Sequence, residues 1–352
     1  MNDGRIIFRV DGSHEIGLGH ISRCINLAQA LHDEFLKTTG EPVPIVFMGK
    51  FVRALELIRC ENFITNAIVI DEDQDELEYL CVALRDFLPR VVITDINLEG
   101  KVEKYLDAIS PVDFHVSLHE HNYPILQGDI VVAPTVRPLD CAPGGEIGVT
   151  HFIGADYVLI SPEFVELRKK RTVGGEKPER GFVSIGGGDI SGYTKPVIEA
   201  IRNSNFGDIE WNIVLGPVFS PNANLPEIDS GMRIRYLKGA ELGIKGFREL
   251  MAGSDLAITN GGTTLYETLC LGLPVMAIAQ NEFEAAVIDQ LRNENCLFGV
   301  TEPDLGNIEK TYREFASDKI ARAEIAGKGR GMIDGKGCSR LAGLIVSRML
   351  TE

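Results

Sequence analysis

Short apolar, β-branched runs alternate along the whole chain with segments whose apolar positions recur every three or four residues. That alternation is the pattern of βα units on a parallel sheet, and it predicts an α/β fold. In the first half the predicted strands are 5–10, 44–49, 67–70, 90–95, 114–119 and 129–134. The helix after the first of them shows the logic. Ile21, Cys24, Ile25, Ala28 and Leu31 form one apolar stripe that faces a sheet while the polar back faces water. Around 163–180 the pattern breaks into EFVELRKKRTVGGEKPER, rich in charge, glycine and proline, which reads as an interdomain linker. A second series follows, with predicted strands 181–185, 211–215, 233–237, 256–259 and 275–279. The expected organisation is a doubly wound domain over 1–162, the linker, a second such domain over 181–340, and a C-terminal helix 341–352 able to pack on either. Doubly wound sheets bind ligands beyond the carboxyl ends of their strands, so two Rossmann-like domains in series are expected to face a central cleft.

The length of 352 residues agrees with two domains, at about 150 residues each. With 51 acidic against 35 basic residues the net charge is −16, which leaves no broad positive field for a nucleic acid or an anionic membrane. No apolar run reaches the roughly 18–20 residues of a membrane span and the N-terminus lacks a signal pattern, so the expected location is the cytoplasm, without integral membrane contact. The seven cysteines are scattered singly with no C-x-x-C pair, as expected of reduced core thiols rather than a metal clip. All seven histidines lie between His14 and His151, so imidazole chemistry belongs to the first half.

Three constellations carry candidate chemistry. The first follows the first strand: Arg9, Asp11 and Ser13, then Gly17-Leu18-Gly19-His20 opening the amphipathic helix, with Arg23 one turn later. Two glycines allow a sharp turn and close approach of a ligand, and a helix start presents N–H groups and partial positive charge. An imidazole titrates near neutral pH, so His20 beside Asp11 is a candidate general base. Taken singly, a histidine at a helix start equally serves as a cap, and Arg9 and Arg23 equally serve to tie a loop to the sheet. Ser22 stands where G-x-G-x-x-G would need its last glycine and no P-loop occurs, so a nicotinamide cofactor is disfavoured.

The second constellation, Ser184-Ile185-Gly186-Gly187-Gly188-Asp189, runs from a strand through three glycines toward a helix, a turn suited to phosphate approach or simply a flexible crossover. The third is the most specific: Asn260-Gly261-Gly262-Thr263-Thr264 leads from a strand into a helix, with Glu267 one turn on. Helix-start N–H groups and two threonine hydroxyls suit a diphosphate, and the two oxygens of Glu267 suit two ribose hydroxyls. Alone, Thr263 reads as an N-cap and Glu267 as a capping-box partner. Asp95, at the carboxyl end of a strand, stands where ligands bind or where a turn aspartate is common. Of Phe283, Glu284 and Asp289, on the following helix, any one can reach a sugar. His115, His119 and His121 share one face only if their strand continues, which argues against a metal cluster.

With these residues in place, the chain resembles the GT-B glycosyltransferase superfamily. Within it the resemblance is to the family of pseudaminic-acid-pathway UDP-sugar hydrolases and spore-coat polysaccharide proteins. RVDGSHEIGLGHISRC at 9–24 is similar to the family's N-terminal signature, LISPEFVELR at 159–168 to its entry into the linker, and 183–189 to its S-x-G-G-x-D loop. The stretch 259–274 resembles the donor-nucleotide segment of the peptidoglycan GlcNAc transferase, and Asp334-Gly335-Lys336-Gly337 also has a counterpart. The resemblance implies a GT-B-like fold and a cofactor-free, metal-independent hydrolase. Such an enzyme releases UDP from UDP-2,4-diacetamido-2,4,6-trideoxy-β-L-altropyranose by attack of water at the anomeric carbon, with His20 as base. It implies UDP as the nucleotide, with thymidine diphosphate the alternative. One departure stands out: Ser117-Leu118-His119-Glu120-His121 replaces an I-D-D-like run on an edge expected to face the sugar. An inverting glycosyltransferase using the same donor site is the alternative, since the fold serves both chemistries.

Overall fold

A computed structural model describes residues 4–12, 18–71, 73–96, 100–119, 128–136, 150–171, 177–204, 208–217, 219, 225–228 and 231–351. The chain forms two compact units, one of Met1–Pro162 with Lys336–Glu352 and one of Glu163–Gly335. The first contains β1 (Ile6–Val10), α1 (Gly19–Thr39), β2 (Ile45–Gly49), α2 (Leu55–Arg59), β3 (Asn66–Val69), α3 (Glu76–Phe87), β4 (Val91–Asp95), α4 (Val102–Ile109), β5 (Phe114–Leu118), β6 (Ile130–Ala133) and β7 (Thr150–Ile153). The second holds α5 (Glu163–Lys170), β8 (Arg180–Ser184), α6 (Thr194–Arg202), β9 (Glu210–Leu215), β10 (Ile234–Lys238), α7 (Gly239–Ala252), β11 (Leu256–Asn260), α8 (Thr263–Leu271), β12 (Val275–Ile278), α9 (Glu282–Asn293), β13 (Phe298–Val300), α10 (Leu305–Ser317) and α11 (Lys319–Met332). The last helix, α12 (Gly337–Thr351), returns to the first unit.

Both sheets are parallel, with orders β3-β2-β1-β4-β5-β6-β7 and β10-β9-β8-β11-β12-β13. Each order reverses once, between β1 and β4 in the first unit and between β8 and β11 in the second. Such a switch point opens a crevice at the carboxyl ends of the two strands, where ligands settle.

Alternation along the strands decides what each face buries. In the first unit Ile6, Phe8 and Val10 join Ile21, Ala28 and Leu31 of α1 and Leu341, Ile345 and Met349 of α12 in one apolar cluster. Ile7, Val46, Met48 and Val92 point the other way, onto Leu80 and Leu84 of α3 and Tyr105 and Ile109 of α4. In the second unit Val183, Ile185, Ile213, Ile258 and Ile278 pack with Val197 and Ile201 of α6 and Ile308, Tyr312 and Phe315 of α10.

Three expectations from the sequence are corrected here. The first eight residues of the expected linker are helical: α5 carries Glu163 and Glu166 in its first turn and three basic residues in its last, the arrangement that favours the helix dipole. Phe164 is buried, so α5 is part of the second unit rather than a connection. The final helix starts at Gly337, and Lys336 onward belongs to the first unit, not to a domain running to residue 340. Finally, β7 and β13 extend the sheets at their edges and had no predicted counterpart; both are short, and β13 has a glycine, Gly299, as its middle residue. No helix among the described residues is long and apolar enough to cross a membrane.

Candidate functional site

At the β1/β4 switch point the structure gathers His20, Arg23 and Cys24 of α1 around Asp95 at the end of β4. Nδ1 of His20 lies 2.7 Å from Oδ1 of Asp95. Arg23 donates to the same carboxylate from Nε at 2.6 Å and from Nη2 at 2.5 Å, and Cys24 adds its thiol at 3.5 Å. The Asp95 side chain is 2 % exposed, and that of His20 is 19 % exposed. Burial alone would raise the Asp95 carboxyl, but the Arg23 guanidinium, joined by His20 when it is protonated, outweighs it and holds the group well below the ordinary carboxylate range. Asp95 is therefore a fixed anion at neutral pH. Nδ1 also lies 3.0 Å from Nη2 of Arg23, but that nitrogen already donates to Oδ1 of Asp95, and the shorter contact of Nδ1 to the anion favours an N–H on Nδ1, with the proton-accepting lone pair on Nε2.

This changes the expected pairing. Asp11 is not the carboxylate beside His20: its oxygens accept from the Arg9 guanidinium, and Oδ1 also accepts from the Lys50 N–H at 2.8 Å. Arg9 is fully buried and further donates to Glu76 at 2.6 Å and to the Tyr105 hydroxyl at 3.2 Å. The reason is strand alternation. Arg9 leaves β1 on the face of Ile7, toward α3 and α4, whereas α1 and His20 lie over the opposite face. Arg9 and Asp11 thus form a strut that ties the end of β1 to the start of the loop after β2. Arg23 and Asp95, likewise expected to touch substrate, are committed to each other and to His20. Gly19 is exposed at the first position of α1, which no side chain caps. Ser13 and Gly17 lie outside the described residues, as do Glu120 and His121 of the His119 edge.

β5 ends at Leu118, and His115 is buried within the sheet, where desolvation lowers its pKa to about 4 and Nε2 meets the Thr94 hydroxyl at 2.8 Å. Among the described residues there is no group of three or more His, Cys, Asp or Glu able to hold a metal ion.

The second switch point brings together the loop after β8 and the turn after β11. Gly186 has a φ of 69°, open to glycine, and a Cβ there would lie 3.4 Å from the side-chain nitrogens of both Asn260 and Gln280. Gly187 lies in the same loop, against the chain at Gly216. Asp189 closes the loop by accepting the N–H groups of Tyr193 at 2.7 Å and Thr194 at 2.8 Å. The start of α6 is therefore already occupied by a carboxylate of the chain itself, and the glycine triplet offers backbone approach without that helix's N-terminus.

The start of α8 differs. Gly262 is its N-cap and supplies no side-chain cap, so Thr263 and Thr264 are the first helical residues. Thr263 is thus not the N-cap. Glu267 is five positions into the helix, too far along for a capping box, which uses the third position. Glu267 is 7 % exposed, and burial raises its pKa to about 7 against the opposing charge of Arg248. Gly261 is accounted for in a way the sequence did not anticipate. Its N–H is taken by Glu284 at 3.1 Å, and Asn260 also donates to Glu284 at 2.6 Å. Glu284 is consequently an internal acceptor for the turn after β11. Its signal in the sequence was only an acidic residue three places past an Asn N-cap, with nothing to say that it faces inward.

No family model matches the chain. It is 25 % identical over 308 residues to an uncharacterized protein of Methanocaldococcus jannaschii, covering 81 % of this chain and 57 % of that protein, so it spans little more than half the length of that relative. It is 23 % identical over 347 residues to the spore coat polysaccharide biosynthesis protein SpsG of Bacillus subtilis, covering 95 % of this chain and 96 % of SpsG. Among solved structures, the glycosyltransferase SnogD from Streptomyces nogalater superposes with a TM-score of 0.64 at 17 % identity, covering 98 % of this chain and all of that one. UDP-GlcNAc 2-epimerase from Neisseria meningitidis, bound to UDP-GlcNAc, gives 0.64 at 12 % identity over 99 % of this chain and all of that one. The chain therefore has the GT-B fold of glycosyltransferase structures, two parallel-sheet Rossmann-like units, and a homologue in polysaccharide biosynthesis.

Proposed function

We propose that the protein is a nucleotide-sugar hydrolase that releases UDP from a UDP-linked diacetamido-trideoxy sugar by attack of water at the anomeric carbon, in biosynthesis of a pseudaminic-type acid. The observation that carries this reading is the His20–Asp95 pair at a switch point. A buried anion on Nδ1 fixes the imidazole orientation and favours the tautomer with its lone pair on Nε2, the form that deprotonates a water or hydroxyl. The diphosphate is already a competent leaving group, so the chemistry needs one base and donors for the departing charge, without a protein nucleophile. The backbone N–H groups and hydroxyls of Thr263 and Thr264 supply those donors, Gly262 and Gly187 permit close approach, and Glu267 takes the ribose hydroxyls. Water entering on the face opposite the diphosphate inverts the anomeric centre. The SpsG homologue and the UDP-GlcNAc bound to a protein of the same fold support the substrate class.

The second reading is an inverting glycosyltransferase, in which a sugar hydroxyl replaces water and His20 deprotonates it instead. It is favoured by the fold shared with SnogD, described as a glycosyltransferase. Replacing His20 by Ala is expected to abolish release of UDP while calorimetry still registers UDP binding near the wild-type affinity. Wild-type turnover in that variant would remove His20 from the chemistry under either reading.

A further inference from the structure

Glu284 lies in the first turn of α9, is 8 % exposed, and receives three hydrogen bonds on its carboxylate. Oε2 accepts from the Gly261 N–H at 3.1 Å and the Gln280 N–H at 2.9 Å, and Oε1 accepts from Asn260 Nδ2 at 2.6 Å. Its own N–H is held by the Asn281 side chain, the N-cap of α9, at 2.9 Å. Burial pushes this carboxyl upward while the three donors pull the other way. A buried carboxylate is costly unless donors satisfy it, and here they come from two different strand ends, Asn260 and Gly261 after β11 and Gln280 after β12. Gly186, from the loop after β8, then rests against the Asn260 and Gln280 side chains. A Cβ on Gly261 would lie 2.7 Å from Cβ of Glu284, so turn and helix are in direct contact.

We propose that Glu284 is a positioning residue for the nucleotide: by withdrawing the Gly261 N–H and gripping Asn260, it sets the peptide planes of the turn. The following N–H groups, of Gly262, Thr263 and Thr264, then converge on the diphosphate of a nucleoside diphosphate. Glu284 touches no ligand atom. The assignment rests on the nucleotide site described under Proposed function.

The test is calorimetric titration of UDP into the full-length wild type, Glu284→Ala and Glu284→Gln, each checked for native folding by thermal unfolding. A glutamine places its carbonyl oxygen where Oε2 stands and accepts both backbone N–H groups, while its amide donates to a flipped Asn260 amide. It is therefore expected to keep affinity within about threefold, whereas alanine, losing three acceptor contacts, weakens it roughly tenfold or more. If the alanine variant does not fold, Glu284→Asp decides: the charge stays, the reach falls short by one methylene, and the same tenfold loss is expected. Wild-type affinity in the alanine or aspartate variant overturns the proposal. So does a glutamine variant as weak as alanine, which would make charge rather than acceptor geometry the cause. A wild type that binds no UDP rejects the nucleotide site itself, and the positioning role with it.

Discussion

Asp95 accepts from one imidazole, from two nitrogens of one guanidinium and from one thiol, and that division of its oxygens governs what His20 can do. With Oδ1 facing Nδ1, loss of the charge should disturb the tautomer more than the ring's location. Asp95→Asn is therefore expected to lower turnover by roughly a hundredfold or more while leaving UDP affinity unchanged, measured by steady-state assay and calorimetry. An unaffected rate would show that the pair is structural. Glu267 carries a second residue-scale consequence. Its carboxyl titrates near 4.5 in the unfolded chain and near 7 in the fold, so between those values the unfolded state has released a proton that the folded state retains. Stability from this group is present below about 4.5 and is lost as pH rises through about 7. The loss is on the order of 3 kcal/mol, since a tenfold change in proton affinity corresponds to about 1.4 kcal/mol. Glu267→Gln should flatten that pH dependence in urea unfolding measured at pH 4.5 and pH 8; parallel curves for wild type and variant would count against it. That His20 opens the helix after β1 was legible in the sequence. Its partner was not, because choosing between Asp11 and Asp95 requires knowing that β4 lies beside β1 and that Arg9 faces the other way.

The elements that position these side chains were legible where periodicity was strong and obscure where it was weak. The central strands of both sheets and the stripe of α1 follow from apolar spacing alone. Edge strands β7 and β13 do not, since the first is half-exposed and the second is three residues long around a glycine. Helix α5 hid behind its charges, though acidic residues at its start and basic ones at its end are what a helix dipole prefers. Helix α12 was visible as a helix, but its apolar face fits either unit, and only the structure assigns it to α1. It is the last segment of the chain, yet Leu341, Ile345 and Met349 complete the core beneath the helix that carries His20. Ile345→Ala is accordingly expected to destabilise the first unit by about 2–5 kcal/mol, the usual cost of a buried Ile-to-Ala cavity, read from chemical denaturation. Stability unchanged within about 0.5 kcal/mol would mean that α12 is an appendage rather than core.

At the scale of the molecule, the two units repeat one plan: a parallel sheet, one reversal of strand order, and candidate chemistry at that reversal. In the first unit the reversal carries a histidine backed by a buried anion; in the second it carries glycines, two threonines at an uncapped helix start and a buried glutamate. The proposed assignment follows from that asymmetry, with the base in the first unit and the nucleotide in the second. Solved structures that share the fold include glycosyltransferases and UDP-GlcNAc 2-epimerases, so the acceptor is a property of the site and not of the fold. The choice falls to one measurement: phosphorus NMR of the purified protein with UDP-2,4-diacetamido-2,4,6-trideoxy-β-L-altropyranose, without any acceptor and with a chelator present. Steady release of UDP is expected from the wild type, and none from His20→Ala. No release from a wild type that still binds UDP would contradict hydrolysis of this sugar, and would leave the same residues serving a transferase or a different donor.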